Sequence, residues 1–488
     1  MRCAAELRDF LFERGAFAAQ NELLRRKNTF DCGSNLRPNR RVLRREIELR
    51  HRVKQRSGFL LRAHRLVTCN YELGANRSRM QLAEYTPTIP VPAAIAYNDA
   101  PYKMFAKRTN WNLEPNRLSA ALAAHRAAGR PLIDLTVSNP TDCGFQYDAR
   151  SILSALNNPA ALHYEPNPRG LEVARCAVAQ YYAERGAAVS NHNIFLTTST
   201  SEAYSYVFRT LCNPEDELLI PAPSYPLFEF LADIQDVRLA PYPLVYDYGW
   251  QIDFHALEQA ITPKTRGVIV VHPNNPTGNF CKPEEIRKLN EICAAREIAI
   301  IADEVFLDFA LNGKQPATFA ANSRALTFTM SGLSKICGLP QMKAAWLIVS
   351  GPEPYKTAAL SRLEVIADTY LSMNAPIQLA VPAFLGLRHE FQRQLLARVN
   401  ENLALLDKQI ARQKSCSRLE AEGGWSAVIR VPATRSDDEL ALELLATKGV
   451  YVHPGHFYDF PSDGHVIVSL IVPARDFVGG MDLLLSTF

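Results

Sequence analysis

From about residue 165 to residue 350, short apolar runs bounded by turn residues alternate with stretches whose apolar positions recur every three to four residues. NIFLTT, ELLIPAP, VRLAPYPL, RGVIVVHP, AIIADEV, LTFTMS and AAWLIVS read as strands. Several are continuously apolar, as strands covered on both faces must be. Between them, LEVARCAVAQYYAERG, STSEAYSYVFRTLC and PEEIRKLNEICAAREI carry helical periodicity and supply crossover cover. The alternation predicts an α/β domain with a large, mostly parallel sheet and helices on both faces. Upstream, LIDLTV reads as a strand, SNPTDCG as a turn and residues 150–156 as a helix. Beyond Asn374 comes a long helix through HEFQRQLLARVNENLALLDKQIARQK. The GGWSAVIRVP segment, a helix at DELALELLATKG, and strands at VYVHPG and HVIVSLIV follow, which suggests a smaller α+β domain.

The first hundred residues have another character. Residues 1–80 hold 19 basic and 8 acidic side chains, about +11, against +4 for the whole chain, so residues 81–488 carry about −7. Helical periodicity there is weak, around Leu7, Phe10, Leu11 and Phe12, and TPTIPVPAA has the proline content of a linker. Met80 and Met104 are candidate internal starts, and MFAKRTNWNLEPNRLSAALAAHRAAG reads as an amphipathic helical opening. The expected organisation is a basic extension over 1–103, an N-terminal arm and part of the smaller domain over 104–164, a large domain over 165–373 and a C-terminal domain over 374–488.

Composition narrows the function classes. With 47% hydrophobic and 21% charged residues in 488, disordered, collagenous and disulfide-stapled chains are excluded. The acidic main body argues against a nucleic-acid surface spread over it. Ten cysteines without a CxxC pair suit a reducing cytoplasm, and no metal site is expected. No apolar run approaches 18 residues, and acids and arginines interrupt the first 17, so neither a membrane span nor a secretory signal is expected.

The chemistry gathers at strand ends, where open α/β sheets place their ligands. HPNNPTG follows RGVIVV, ADEV completes AIIADEV, and SGLSK follows LTFTM. Taken singly these are a turn, an acidic strand end and a surface lysine. In this order they resemble the class I and II aminotransferases, the fold-type-I enzymes dependent on pyridoxal 5'-phosphate, over residues about 104–488. The resemblance implies that Lys335 forms the covalent link to the cofactor and shuttles the substrate proton. It implies that Asp303 pairs with the pyridine nitrogen, Asn275 donates to the phenolate oxygen and Tyr225 stacks on the ring. Ser199, Thr200 and Ser201 would cradle the phosphate at a strand-to-helix junction, Thr200 and Ser201 the more so, although such residues also serve as ordinary helix caps. Tyr164 would reach the phosphate across a dimer interface, making the active unit a homodimer.

Departures from the family pattern bear on the substrate. Lys343 stands where an arginine is common, keeping the charge and losing the two-pronged fork. Phe306 stands where a tyrosine would supply a hydroxyl. Ile467 occupies the place of the arginine that grips the substrate carboxylate, with Arg475 or Arg430 as replacements to consider, and Ser138 and Asn139 stand at the mouth of the pocket. The implied reaction is ping-pong transfer of an amino group from an amino acid or related amine to a 2-oxo acid. A lyase breaking a carbon–sulfur or related bond would use the same cofactor-holding residues. A cofactor-sensing transcriptional regulator is the third reading, though residues 1–80 show no three-helix pattern with a wing. No GxGxxG opens a βαβ unit, which argues against a dinucleotide enzyme.

Overall fold

The computed structural model describes residues 104–488 apart from 312, 314 and 315. The expectations for residues 1–103 lie outside the described residues. Eight strands form one mixed sheet, in the order 194–197, 345–350, 327–332, 299–303, 265–271, 217–222, 238–246, 250–252. The four pairings from 327–332 to 238–246 are parallel, while 345–350 runs antiparallel to both its neighbours and 250–252 antiparallel to 238–246.

Both faces are covered because successive side chains in these strands alternate between two apolar layers. Leu218, Ile220, Ile269, Val271, Ala299 and Ile301 join Tyr204, Val207 and Phe208 of the Thr200–Leu211 helix and Leu363 of the Glu353–Tyr370 helix. Leu219, Val268, Val270, Ile300 and Ala302 join Leu289 and Cys293 of the Pro283–Arg296 helix on the other face. At roughly 25 cal/mol per Å² of apolar surface, this two-sided burial is the main term holding the sheet together.

A four-stranded antiparallel sheet, in the order Ser417–Arg418, Ser426–Arg430, His465–Ser469, His453–Pro454, forms a second layer. The 36-residue helix Ala375–Ile410 packs its Leu395, Val399 and Leu406 into the same core as Val466 and Val468. Ile133–Asp134 pairs in parallel with Val450–Tyr451. The helical opening expected from Met104 is shorter than its sequence pattern: the helix spans Arg117–Ala127, where the Asn116 side chain caps the amide of Ser119.

Register sets the position of the chemistry. Asp303 pairs with Val271 and stands opposite Met330, two residues before Gly332 ends its strand. The strands ending at Thr197, Ala222, Val271, Asp303 and Gly332 share one direction, so all five release their next residues at one edge of the sheet.

Candidate active site

Lys335 sits on the short helix Leu333–Ile336, immediately after the strand that ends at Gly332. The Leu333 amide donates to Ala344 O at 2.9 Å, Tyr147 Oη donates to Gly338 O at 2.9 Å, and Gln392 Nε2 donates to Ile336 O at 3.1 Å. This turn is therefore held from three sides. Among the described residues nothing hydrogen-bonds to Lys335 Nζ; it lies 4.7 Å from the centre of the Trp425 ring and 5.5 Å from that of Phe306. Burial takes its ammonium down to about 8, against the opposing pull of the Asp303 carboxylate. About a tenth of the population is thus a neutral, nucleophilic amine at pH 7, far more than for an ordinary lysine.

Asp303 is buried at the end of its strand. Tyr204 Oη donates to one carboxylate oxygen at 2.9 Å and the Val305 amide to the other at 3.1 Å. Burial raises its pKa, while these two donors and Lys335 favour the charged form. A carboxylate held in this manner can keep a nearby ring nitrogen protonated.

The turns after strands 217–222 and 265–271 are tied together by Asn274, which sequence reasoning passed over. Its side chain accepts from Ser224 Oγ at 3.0 Å and donates to Pro223 O at 2.9 Å and Thr277 Oγ1 at 2.7 Å. Asn275, the neighbouring residue that the resemblance singles out, has no side-chain partner among the described residues and is partly exposed. Tyr225, on the adjoining turn, is 39% exposed, and its ring meets Phe228 edge to face at 6.0 Å. Burial and the Asp303 charge push its phenol up to about 12.

At the end of strand 194–197, Ser199 caps the Thr200–Leu211 helix, its Oγ accepting from the Glu202 amide at 3.1 Å. Ser199 is thus engaged as a cap, and the Thr200 and Ser201 hydroxyls carry no bond among the described residues. That pair, at the positive end of a 12-residue helix, is a ready anion site. Lys343 is exposed on the turn after the lysine helix. Tyr164 is 74% exposed.

The departures have clear structural consequences. Ile467 is 2% exposed and belongs to an apolar cluster with Leu419, Val428, Trp250 and Phe460, where no charged clamp would fit. Arg430 is exposed over the Tyr246 ring, and Arg475 is exposed on the C-terminal helix. Ser138 and Asn139 are exposed, and Asn139 caps a turn by accepting from the Thr141 amide. Phe306 packs edge to face against Trp425 at 4.8 Å, so an apolar contact fills the place of the missing hydroxyl. Tyr204 and Trp425 went unnoticed in the sequence. Tyr204 lies one helical turn after Thr200, a spacing that points to the same sheet edge, whereas nothing local marks Trp425 beyond the glycine pair before it.

The arrangement offers an amine for attack on a carbonyl, a buried carboxylate for a ring nitrogen, an amide and an aromatic face nearby, and a helix start for an anion. The profile of the family "Aminotransferase class I and II" matches residues 130–470. Glutamate-pyruvate aminotransferase AlaA of Escherichia coli K12 is 26% identical over 369 residues, covering 74% of this chain and 90% of that protein. An alanine aminotransferase of Mycobacterium tuberculosis is 25% identical over 73% of this chain and 86% of that one. Among solved structures, an alanine aminotransferase from Pyrococcus furiosus superposes with a TM-score of 0.70 at 21% identity, covering 76% of this chain and 97% of that one. An Escherichia coli aminotransferase gives 0.69 at 24% identity, over 77% and 98%.

Proposed function

We propose, from the premise that this chain belongs to the class I and II aminotransferases, that it transfers an amino group from an amino acid or related amine to a 2-oxo acid with pyridoxal 5'-phosphate as cofactor. The observation that carries the reading is the placement of Lys335 and Asp303 at adjacent strand ends, the amine made easier to deprotonate by burial and the carboxylate held by two hydrogen-bond donors. When bound, the cofactor supplies an aldehyde for covalent attachment and a ring that accepts an electron pair from the substrate carbon.

The described residues fit that group. Lys335 Nζ has no hydrogen-bond partner, the Asn275 side chain is free to donate, and two helix-start hydroxyls await an anion. In our reading Lys335 would hold the cofactor and Asp303 its ring nitrogen, while Tyr204 holds Asp303 by its hydrogen bond. Tyr225 and Asn275 would flank the ring, Thr200 and Ser201 would bind the phosphate with Ser199 as their cap, and Lys343 would add charge from the following turn. Lys335, once free of the cofactor, would take the proton from the donor carbon and return it during product formation. Tyr164 completes the phosphate site from a second copy of the chain, so the working unit is a homodimer.

Donor recognition departs from the family pattern, since Ile467 is packed in an apolar cluster. The test is the near-ultraviolet and visible spectrum of the reconstituted protein beside Lys335→Ala, before and after a panel of amines and amino acids, alanine and glutamate first. A cofactor band that needs Lys335 and converts to the amine form with one donor supports the reading and identifies that donor. Absence of any bound cofactor after reconstitution would overturn it.

A further inference from the structure

Trp425 holds none of the roles assigned so far, yet it makes the closest ring contact with the reactive amine. Its indole is buried, with Lys335 Nζ 4.7 Å from the ring centre, and Phe306 meets it edge to face with Nζ 5.5 Å from the Phe306 centre. Asp303 is the charged group that acts on Nζ. A protonated amine here has shed most of its water, and among the described residues neither hydroxyl nor carbonyl replaces it, so the electron-rich ring faces are its near neighbours.

The indole is also firmly placed. It follows the segment Ala421–Gly424, which is stitched to the turns around the site. The amides of Glu422 and Gly423 donate to Gly278 O at 3.0 and 2.8 Å, and the Gly424 amide donates to Phe309 O at 2.9 Å. The Leu311 amide donates to Glu422 O at 2.8 Å, and the Glu422 carboxylate accepts from the Phe280 amide at 3.1 Å and pairs with Lys282. Phe309 also packs on Trp425, with ring centres 5.5 Å apart. NNPTG and DEVF are thus both used to hold one tryptophan over the lysine.

We propose that Trp425 is a positioning residue for Lys335, its π face receiving the ammonium that forms when Lys335 takes up the substrate proton. The inference rests on Lys335 being the reactive amine of the proposed function. Lys335 would change from –NH₂ to –NH₃⁺ on taking the proton from the donor carbon, the bound cofactor being what would accept that carbon's electron pair, and on the return transfer it would give the proton up again. Trp425 stabilises the charged form where burial disfavours it, so the lysine can carry the proton without leaving the pocket.

Fluorinated tryptophans test this without changing shape, because each added fluorine weakens the ring's negative face. The full chain is produced with tryptophan and with mono-, di- and trifluorotryptophan, and Lys335 is titrated before reconstitution by competitive acetylation read on its peptide by mass spectrometry. The expected result is a stepwise fall in the Lys335 pKa, with the neutral fraction at pH 7 rising roughly two- to fivefold across the series. The same series in Trp425→Phe is expected to be flat, since Trp111, Trp250 and Trp346 do not touch Lys335. A flat series in the unsubstituted chain would overturn the proposal, as would a fluorine dependence that persists in Trp425→Phe. Should that variant fail to fold, the unsubstituted series still decides. A fluorine dependence without any cofactor band would overturn the functional reading and leave the contact standing; a band without fluorine dependence would overturn the contact alone.

Discussion

At the scale of single residues, the site places reactivity ahead of stability. Lys335 titrates near 8 in the fold and near 10.4 in an unfolded chain. Between those values the unfolded state binds more protons, so stability rises with pH there, and below about 8 the full cost of burying the amine is felt. Lys335→Met should therefore stabilise the cofactor-free chain at pH 7 by on the order of 1–3 kcal/mol, with the gain mostly gone by pH 10. Urea midpoints at the two pH values check this. The hydrogen bond from Tyr204 acts in the opposite sense on Asp303, favouring its charged form. Tyr204→Phe should raise the Asp303 pKa and shift the acid limb of the kcat/KM profile upward in pH, with a stability loss of about 1–3 kcal/mol. Lys335, Asp303 and Asn275 stood out in the sequence because each lies at, or within four residues of, the end of a recognisable strand. Tyr204 and Trp425 did not, because their meaning lies in contacts across 99 residues in one case and 90 in the other.

At the scale of elements, legibility followed burial. Strands covered on both faces, such as Ala299–Asp303, stood out as unbroken apolar runs. The helices Phe228–Asp233, Phe254–Ala260, Glu353–Tyr370 and Ala474–Leu485 and the strand Trp250–Ile252 were not anticipated. In Glu353–Tyr370 the buried face is only Ala359, Leu363 and Ala367, and exposed Val365 blurs its periodicity. In Ala474–Leu485 a Gly-Gly pair reads as a break, yet a Cβ at Gly480 would come within 3 Å of Leu135 and Ile133, so close packing requires glycine inside that helix. The same closeness governs the segment that carries Trp425. Gly278 has φ +73°, and a Cβ there would lie 2.6 Å from Gly423 O. Gly278→Ala should cost about 2–4 kcal/mol by pushing the Ala421–Gly424 segment off its hydrogen bonds. Chemical denaturation measures the cost, and a weaker Lys335–cofactor band at equal cofactor concentration would show that the loss reaches the site.

At the scale of the whole molecule, a single chain brings together all the proposed cofactor contacts within one sheet edge except two. Lys343 stands on the neighbouring turn, and Tyr164 faces solvent beside Leu162, which is 94% exposed. An aromatic and an aliphatic side chain so open are poorly placed unless another surface covers them. If the cover is a second copy, symmetry makes each copy donate Tyr164 to the other's site. That arrangement has a consequence that separate sites within single chains cannot imitate. Lys335→Ala lacks the reactive amine, and Tyr164→Ala lacks the borrowed phenol, yet a mixed dimer of the two keeps one site in which both residues are present. Random pairing makes about half the dimers mixed, each with one of two sites intact, so coexpression should return activity to about a quarter of the unsubstituted protein's, above the sum of the two variants measured apart. Two tags, one on each variant, allow the mixed species to be purified and its cofactor band titrated. A band of half stoichiometry with unsubstituted affinity assigns Tyr164 to the partner's site. If the affinity of the mixed species matches that of Tyr164→Ala alone, each Tyr164 serves its own chain or none, and the covering of Leu162 and Tyr164 has another purpose.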